Sequence, residues 1–439
     1  MNTNPITSHF QWSLLKCFCS CVIAVFISGC DQEPQDSQML QKNVKADQIV
    51  WSDAEKVLLQ SLSIRNLPGV GLDSSNRYQL NPDAIKLGKQ LFFDTKLSST
   101  GTISCASCHQ PDNQFIDGKR VALAVGEGTR NTPSLLGASH QQWFFWDGRK
   151  DSAWSQALEP LENPVEHNLT RIEVIKKVLV NPEYKNSYRQ IFTELPSQQA
   201  LDSWPSAAKP NGDLASLKLW KSLPIESRKE INRVFSNIGK SLAAYETTLK
   251  FPVSRFDGYL DSLKTTELGS ASVDTPNNEP SKHAVSGFTD NEKAGLQLFI
   301  GKAACVSCHH SPLLSSQHFQ NVATGIPGKD TGRAMVAEAQ RWDVFNCLGE
   351  YSDAPKDDCK DLTFMKNNRH ELSGSFKVPS LRNVINTAPY MHDGRYQSLA
   401  EAVKHYANPP DTKLIEHHMP MITLDEREQK RLVDFLKTL

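Results

Sequence analysis

The five-residue pattern C-x-x-C-H occurs twice, as "CASCH" at 105–109 and "CVSCH" at 305–309, and its first cysteines stand 200 residues apart. No other feature constrains the chain so tightly. Two thiols separated by two residues can add to the two vinyl groups of one porphyrin, which holds the adjacent histidine beneath the iron. Cys105, Cys108 and His109 are therefore expected to hold one haem c, and Cys305, Cys308 and His309 a second. One such motif could equally be a redox dithiol or half a zinc site. Two copies, each behind a similar helix, favour haem.

The motifs sit in a longer repeat. "AIKLGKQLFFDTKLSSTGTISCASCH" (84–109) parallels "KAGLQLFIGKAACVSCH" (293–309), so each motif carries a domain's worth of chain around it. A chain of 439 residues has room for two cores. Sustained Val/Ile alternation is missing, so an all-α fold with few or no strands is expected. Residues 195–230, rich in Pro, Ser and Lys, read as a surface excursion, and 264–285 as a linker. Residues 230–260 read as helical, closing the first domain, and 421–439 as a C-terminal amphipathic helix with Asp425 and Glu426 in its first turn.

The N-terminus differs in kind. After Lys16 comes "CFCSCVIAVFISGC", apolar but too short to span a bilayer, which reads as a secretory signal over 1–29. "ISGC" resembles a lipobox, with Cys30 lipidated as a membrane tether and Asp31 resembling an inner-membrane retention residue; a simple cleaved signal is the alternative. Residues 30–80 then form an N-terminal tether. Of ten cysteines, Cys17, Cys19 and Cys21 leave with the signal, Cys30 takes lipid and four serve the motifs. Cys347 and Cys359 remain, and in an oxidising periplasm they are expected to pair. A formal net charge of -1 and the lack of a basic run speak against a nucleic-acid partner.

Three long stretches, "LFFDTKLSSTGTISCASCH", "GTRNTPSLLGASHQQWFFWDGRKDSAWSQALEP" and "FKVPSLRNVINTAPYMHDGRYQSLAEAVKHY", resemble the bacterial di-haem cytochrome c peroxidase and MauG superfamily from about residue 80 to the end. The resemblance implies two cytochrome-c-like haem domains, 81–263 with a peroxidatic haem and 286–439 with an electron-transfer haem. It implies that Trp146 lies between the haems and that Gln156, Pro160 and Glu166 line the distal pocket of the first. It further implies one calcium ion held by Asn131, Thr387 and Pro389. From the residues alone, Trp146 reads as a packed aromatic and Glu166 as a solvated carboxylate. Beside a haem, burial would raise the Glu166 pKa and fit it to move a proton between peroxide oxygens. The calcium residues would ligate through neutral oxygens.

Two departures bear on the subtype. The peroxidases that need reductive activation place a histidine shortly before the "RN-x-P" motif. Here 110–139 contains none, Lys119, Arg120 and Glu127 being the polar side chains of reach, and His140 lies beyond the motif. Where those peroxidases ligate the second haem with methionine, the count from Tyr390 falls on Tyr406, as in MauG-type proteins. Leu399, Val403 and Tyr406 share one helix face, and Ser398 with Glu401 forms a capping box that sets the phase. Tyr406 is then either a core phenol or an iron ligand, with Met391, Met419 and Met421 as competitors. A hard anionic phenolate would stabilise ferric and higher states, and methionine the reverse. The reading is a periplasmic oxidoreductase that takes hydrogen peroxide at the first haem and oxidises a partner, such as a protein substrate. The alternatives are a conventional peroxidase fed by a small redox protein or quinol, and a di-haem electron carrier without catalysis.

Overall fold

A computed structural model describes residues 49–265, 287–325, 329–409, 419–420 and 422–439. The expected secretory signal, Cys30, Met421 and nearly all of the expected 264–285 linker lie outside the described residues. Fifteen α-helices account for most of the regular structure among those residues. They are α1 (Asp53–Ser61), α2 (Pro82–Phe93), α3 (Cys105–Cys108), α4 (Ala153–Glu162), α5 (Arg171–Val180), α6 (Pro182–Phe192), α7 (Gln198–Ser203) and α8 (Leu214–Ser222). There follow α9 (Ile225–Glu246), α10 (Arg255–Thr265), α11 (Asp290–Ile300), α12 (Ala337–Gln340), α13 (Lys360–Thr363), α14 (Leu399–Ala407) and α15 (Glu426–Leu436). One antiparallel ladder, β1 (Phe319–Asn321) with β2 (Ser375–Lys377), pairs Gln320 with Phe376. The fold is all-α, as the periodicity predicts.

The helix starts are set locally. Ser52, Thr170, Thr289, Ser398 and Asp425 each cap a helix whose third residue is glutamate, with hydrogen bonds exchanged both ways. These reciprocal bonds satisfy N–H groups that a helix start leaves unpaired. Asn81 caps α2 and Pro82 opens it, where a missing N–H costs nothing.

Residues Ala46–Leu439 form one compact unit containing two main hydrophobic clusters. In the first, α9 packs against both α2 and α4; in the second, α11 crosses α15 with α14 alongside. The L-G-x-x-L-F repeat has a packing reason. A Cβ on Gly88 would stand 1.8 Å from the carbonyl oxygen of Ser241 on α9, and one on Gly295 2.0 Å from that of Arg431 on α15. Each glycine lets two helix backbones touch, and Phe92 and Phe299, four residues on, are fully buried beside the contact.

Three expectations need correction. Residues 195–230 are more than a surface excursion: α7 and α8 bring Leu201, Trp204, Trp220 and Leu223 into the first cluster. The part of the 30–80 tether that is described is docked, with Trp51, Leu59 and Leu62 buried in the second cluster. The helix over 230–260 is broken between Glu246 and Arg255, where Pro252 cannot donate to a helical ladder. Beyond the break, Phe256 and Leu260 of α10 join the second cluster rather than closing the first.

Asp257 anchors that crossing. Arg382 Nη1 donates to both its carboxylate oxygens at 2.8 and 2.7 Å, Nη2 to the Leu62 carbonyl at 2.6 Å and Nε to the Pro312 carbonyl at 2.8 Å. The pair is essentially without solvent exposure, at 1% and 0%. Arg382→Met should therefore strand a buried carboxylate and cost about 3–5 kcal/mol, read as a lower urea midpoint for the haem-loaded protein. Gly88→Val should force α2 off α9 and cost about 1–3 kcal/mol, whereas the same change at exposed Gly101, a site open to solvent but with φ of 69°, should cost only its local backbone strain.

Candidate functional site

The two C-x-x-C-H motifs are positioned by the same device. Nδ1 of His109 lies 3.1 Å from the Phe115 carbonyl oxygen and Nδ1 of His309 3.0 Å from that of Leu314. A carbonyl can only accept, so Nδ1 carries the proton in both rings and Nε2 is the nitrogen left to bind iron. The carbonyls are presented by left-handed residues, Phe115 at φ 58° and Leu314 at φ 52°. Each turn is pinned from behind, by Ser134 Oγ donating to Gln114 O and Ser380 Oγ to Leu313 O, both at 2.6 Å. Burial holds both imidazoles below their usual pKa, His309 down to about 4. They are neutral, as metal ligands must be.

The thiols are tuned the opposite way. Burial pushes Cys105 and Cys305 up to about 12 and Cys108 up to about 11. Such thiols are poor thiolates, which disfavours the redox and zinc readings of C-x-x-C. Among the described residues no group of three or more His, Cys, Asp or Glu converges to hold a metal ion. Both motifs open on one cavity of about 890 Å³, at the upper end of the range for enclosed organic ligands, about 300–1000 Å³. Its wall includes Cys108 and His109 on one side and Cys305, Cys308 and His309 on the other. Neutral imidazoles, protonated thiols and a large, mostly apolar hollow fit two porphyrins.

The structure extends the repeat beyond what was legible at first. "WDGRKDS" from Trp146 parallels "HDGRYQS" from His392, offset by 246 positions. Both are tight turns closed by equivalent bridges, Phe144 with Lys150 and Tyr390 with Tyr396. The halves meet there reciprocally: Lys377 N–H donates to Trp146 O, and Asn131 N–H to His392 O, each at 2.8 Å. Trp146 Nε1–H adds a bond to Asn131 O at 2.9 Å. The half-buried indole lines the cavity that both motifs share.

Each turn is followed by a helix capped by serine, Ser152 for α4 and Ser398 for α14. Eight residues beyond the cap both helices present a side chain to the cavity: Pro160 in the first copy, Tyr406 in the second. Tyr406 is held as a neutral phenol, its pKa pushed well above the usual range by burial and then by Cys305 and Cys308. Its nearness to those thiols puts it on the second motif's side. Leu399 and Val403 beneath it are buried, as the helix phase predicts. Met391, at φ 71°, lies in the turn and lines the cavity, and Met419 lines it too with 8% exposure.

Glu166 and Gln156 line the cavity as well. Burial raises the Glu166 pKa against the opposing pull of Arg149, and Asn163 Nδ2 donates to its Oε1 at 2.6 Å. Its charge bears on Cys105 and Cys108, so it belongs to the first motif's side. His140 does not line the cavity; its carbonyl accepts from Gln317 at 3.0 Å. Of the polar side chains before the "RN-x-P" motif, Glu127 reaches the cavity wall. Asn131, Thr387 and Pro389 also lie on this wall, and the Asn131 amide donates to Lys119 O at 2.8 Å, which turns Oδ1 the other way.

Several residues at this site were not picked out from the sequence. His392 is stacked on Phe376 with ring centroids 3.7 Å apart, and neither ring nitrogen has a hydrogen-bond partner. Lys377 is pulled down to about 8 by burial and donates to Gln141 Oε1. Arg333, sandwiched between Trp143 and Phe319, donates to the Asp147 and Gly148 carbonyls and so braces the Trp146 turn. The second copy of the D-G-R turn was the available sign for His392; nothing local marks the other two.

Comparison with known proteins agrees with this geometry. Residues 82–265 match the family described as di-haem cytochrome c peroxidase. The chain is 28% identical over 393 residues to the methylamine utilization protein MauG of Methylorubrum extorquens, covering 88% of this chain and 87% of that protein. It is 27% identical over 368 residues to the cytochrome c551 peroxidase of Nitrosomonas europaea, covering 82% and 80%. Among solved structures, a MauG-like protein associated with microbial copper homeostasis superposes with a TM-score of 0.55 at 22% identity, over 85% of this chain and 93% of that one. The di-haem peroxidase BthA of Burkholderia thailandensis gives 0.55 at 20% identity over 84% and 88%. With paired C-x-x-C-H motifs on one cavity and these likenesses along most of its length, the chain is an enzyme similar to the di-haem cytochrome c peroxidases and MauG proteins, and residues 82–265 carry that family's pattern.

Proposed function

We propose that this enzyme is of the MauG type: it takes peroxide at the first haem site and passes oxidising equivalents through the second to a large partner, such as a protein substrate. The observation that carries this reading is the pair Pro160 and Tyr406 at one station of the repeat. Proline has no donor atom to give a metal, so the first site stays open. Tyrosine has one, so the second is capped. Two haem domains, 81–263 and 286–439, are part of the same reading, with Cys105, Cys108 and His109 holding one haem and Cys305, Cys308 and His309 the other.

Haem, when bound, supplies iron that accepts peroxide and stores oxidising equivalents. The chain's own groups do the rest. Glu166, its pKa raised by burial, takes a proton from one peroxide oxygen and returns it to the other. Asn163 holds that carboxyl in place, and Gln156 offers an amide to the same space. Pro160 keeps the distal side free of competing ligands. Trp146, fixed at both its indole N–H and its backbone carbonyl, stands on the shared wall as a relay. Tyr406 would be the residue that holds the second iron, and the positive charge of a bound ferric iron would favour its phenolate against the burial that keeps the phenol neutral.

A calcium ion on Asn131 Oδ1 with the carbonyls of Thr387 and Pro389 belongs to this proposal, since all three share one wall and offer neutral oxygens. So do a periplasmic location, usual for the family, and a lipid tether at Cys30. The second reading is a conventional cytochrome c peroxidase drawing electrons from a small redox protein or quinol. Met419, buried on the cavity wall, is the observation in its favour.

EPR of the resting ferric protein separates the two readings. One high-spin and one low-spin signal are expected, both bleached by one equivalent of peroxide. Met419→Leu should leave the low-spin signal in place, whereas Tyr406→Phe should shift it; the reverse pattern returns Tyr406 to the core and makes Met419 the ligand. Glu166→Gln should slow the reaction with peroxide by about 10²–10⁴-fold. In the wild type the rate should fall as pH drops through the Glu166 pKa, because the base form is lost. That limb should lie above the usual glutamate value of about 4.3, and stopped-flow traces of the variant should lack it.

A further inference from the structure

A second hollow lies outside the haem cavity, with a volume of about 210 Å³. Five segments wall it: Gly71–Gln79, the turn at Ser139–Phe144, the start of α4, the end of α9, and the loop closed by the Cys347–Cys359 disulfide. That loop and the N-terminal segment are the two parts of the wall outside the repeated core. Its charge is one-sided. Asp73, Asp151, Glu246, Asp358 and Asp361 line it, and among the described residues it has no lysine, arginine or histidine.

Two of these carboxylates each have one oxygen without a hydrogen-bond partner. Glu246, with 4% exposure, has Oε2 without a hydrogen-bond partner, and Asp151 Oδ1 is in the same condition although Oδ2 accepts from Cys347 N–H at 2.8 Å. Asp73 is different: Ser75 donates to it through N–H and Oγ. The nearby cations are engaged elsewhere: Lys240 is bound to Asp353 at 2.7 Å, and Arg333, which feels the charge of Asp151, donates to the Asp147 and Gly148 carbonyls. A buried polar atom without a partner is rare in folded proteins, and a buried unpaired charge is rarer. Burial accordingly pushes Glu246 up to about 8 and Asp151 up to about 6.

We propose that this hollow binds a small cation that brings its own hydrogen-bond donors, a primary ammonium or a metal ion in its water shell, with Glu246 and Asp151 as the recognition pair. A bare ion does not suit it, because no three acidic groups converge on one point. The volume holds about seven waters at about 30 Å³ each, which is room for a small organic ammonium or an aquated ion. N–H or O–H groups on the guest reach the two unpartnered oxygens, and its charge offsets the carboxylates. Asp358, on the loop fastened by the disulfide, and Asp361, just past it in α13, line the wall as well. The site sits beside the first haem motif, since the charge of Glu246 is felt at Cys105.

Calorimetric titration of the haem-loaded protein at pH 8.5 with calcium chloride, magnesium chloride and ethylammonium chloride in turn tests this. At least one probe should bind, and Glu246→Gln and Asp151→Asn should each weaken that event at least tenfold while keeping the two-haem absorbance spectrum. Loss confined to ethylammonium identifies an organic guest; loss of a calcium or magnesium equivalent identifies an aquated ion. Calcium held by Asn131, Thr387 and Pro389 would survive both substitutions, so failure of that site and of this one are separable. If either variant fails to take up haem, the other decides. No binding by any probe, or equal affinity in the intact variants and the wild type, overturns the proposal.

Discussion

Two backbone hydrogen bonds of 2.8 Å, Lys377 N–H to Trp146 O and Asn131 N–H to His392 O, hold the two copies of the repeat against each other. Each is made by the residue two positions before a Pro-Ser-Leu segment, and that segment backs the turn presenting a carbonyl to the motif histidine. Ring orientation, turn and interface are thus one connected unit in each copy. Because the bonds are reciprocal, neither histidine is positioned independently of the other half. The cavity both motifs share follows from this, as does the placing of Trp146 on its wall. Were the two turns to separate, the indole would lose its fixed backbone and the two motifs would no longer share one cavity.

On that near-symmetric frame, a few substitutions differentiate the halves. Trp146 in one copy corresponds to His392 in the other, an oxidisable ring against a protonatable one. Pro160 corresponds to Tyr406, a side chain that cannot ligate against one that can. Asn131 corresponds to Lys377, whose pKa is pulled down to about 8 by burial. The differences are concentrated where the copies line the cavity, while the glycines, the serine caps and the turn bridges are kept in both. Duplicated scaffolding with divergent lining gives the two motifs different surroundings within one structural plan.

Much of the site was legible before the fold was known, because its elements are local. The C-x-x-C-H motifs, the capping box at Ser398 and Glu401, and the inward phase of Tyr406 depend on residues within two helical turns of each other. The Cys347–Cys359 bridge followed from the count of cysteines left over. Less legible were contacts between distant segments. Trp204 and Trp220 lie in a stretch with no helical period, yet a flat aromatic needs only one matching surface to be buried. Leu59 and Leu62 look like part of a tether until α10 arrives beside them. The Asp257 and Arg382 pair, 125 positions apart, reads in isolation as two ordinary surface charges.

Short stretches of the sequence carry the two haem-attachment motifs, the helical character of the chain, and a phenol on the second motif's side where a methionine would be the alternative. Attachment chemistry, helix period and capping are properties of short stretches, so they survive without tertiary information. Only packing brings both motifs onto one cavity, sets Pro160 and Tyr406 at one station, and leaves Glu246 and Asp151 each with an oxygen that has no hydrogen-bond partner in a second hollow. Burial and the lack of a partner are properties of everything packed around a group. No stretch of chain can state them for itself.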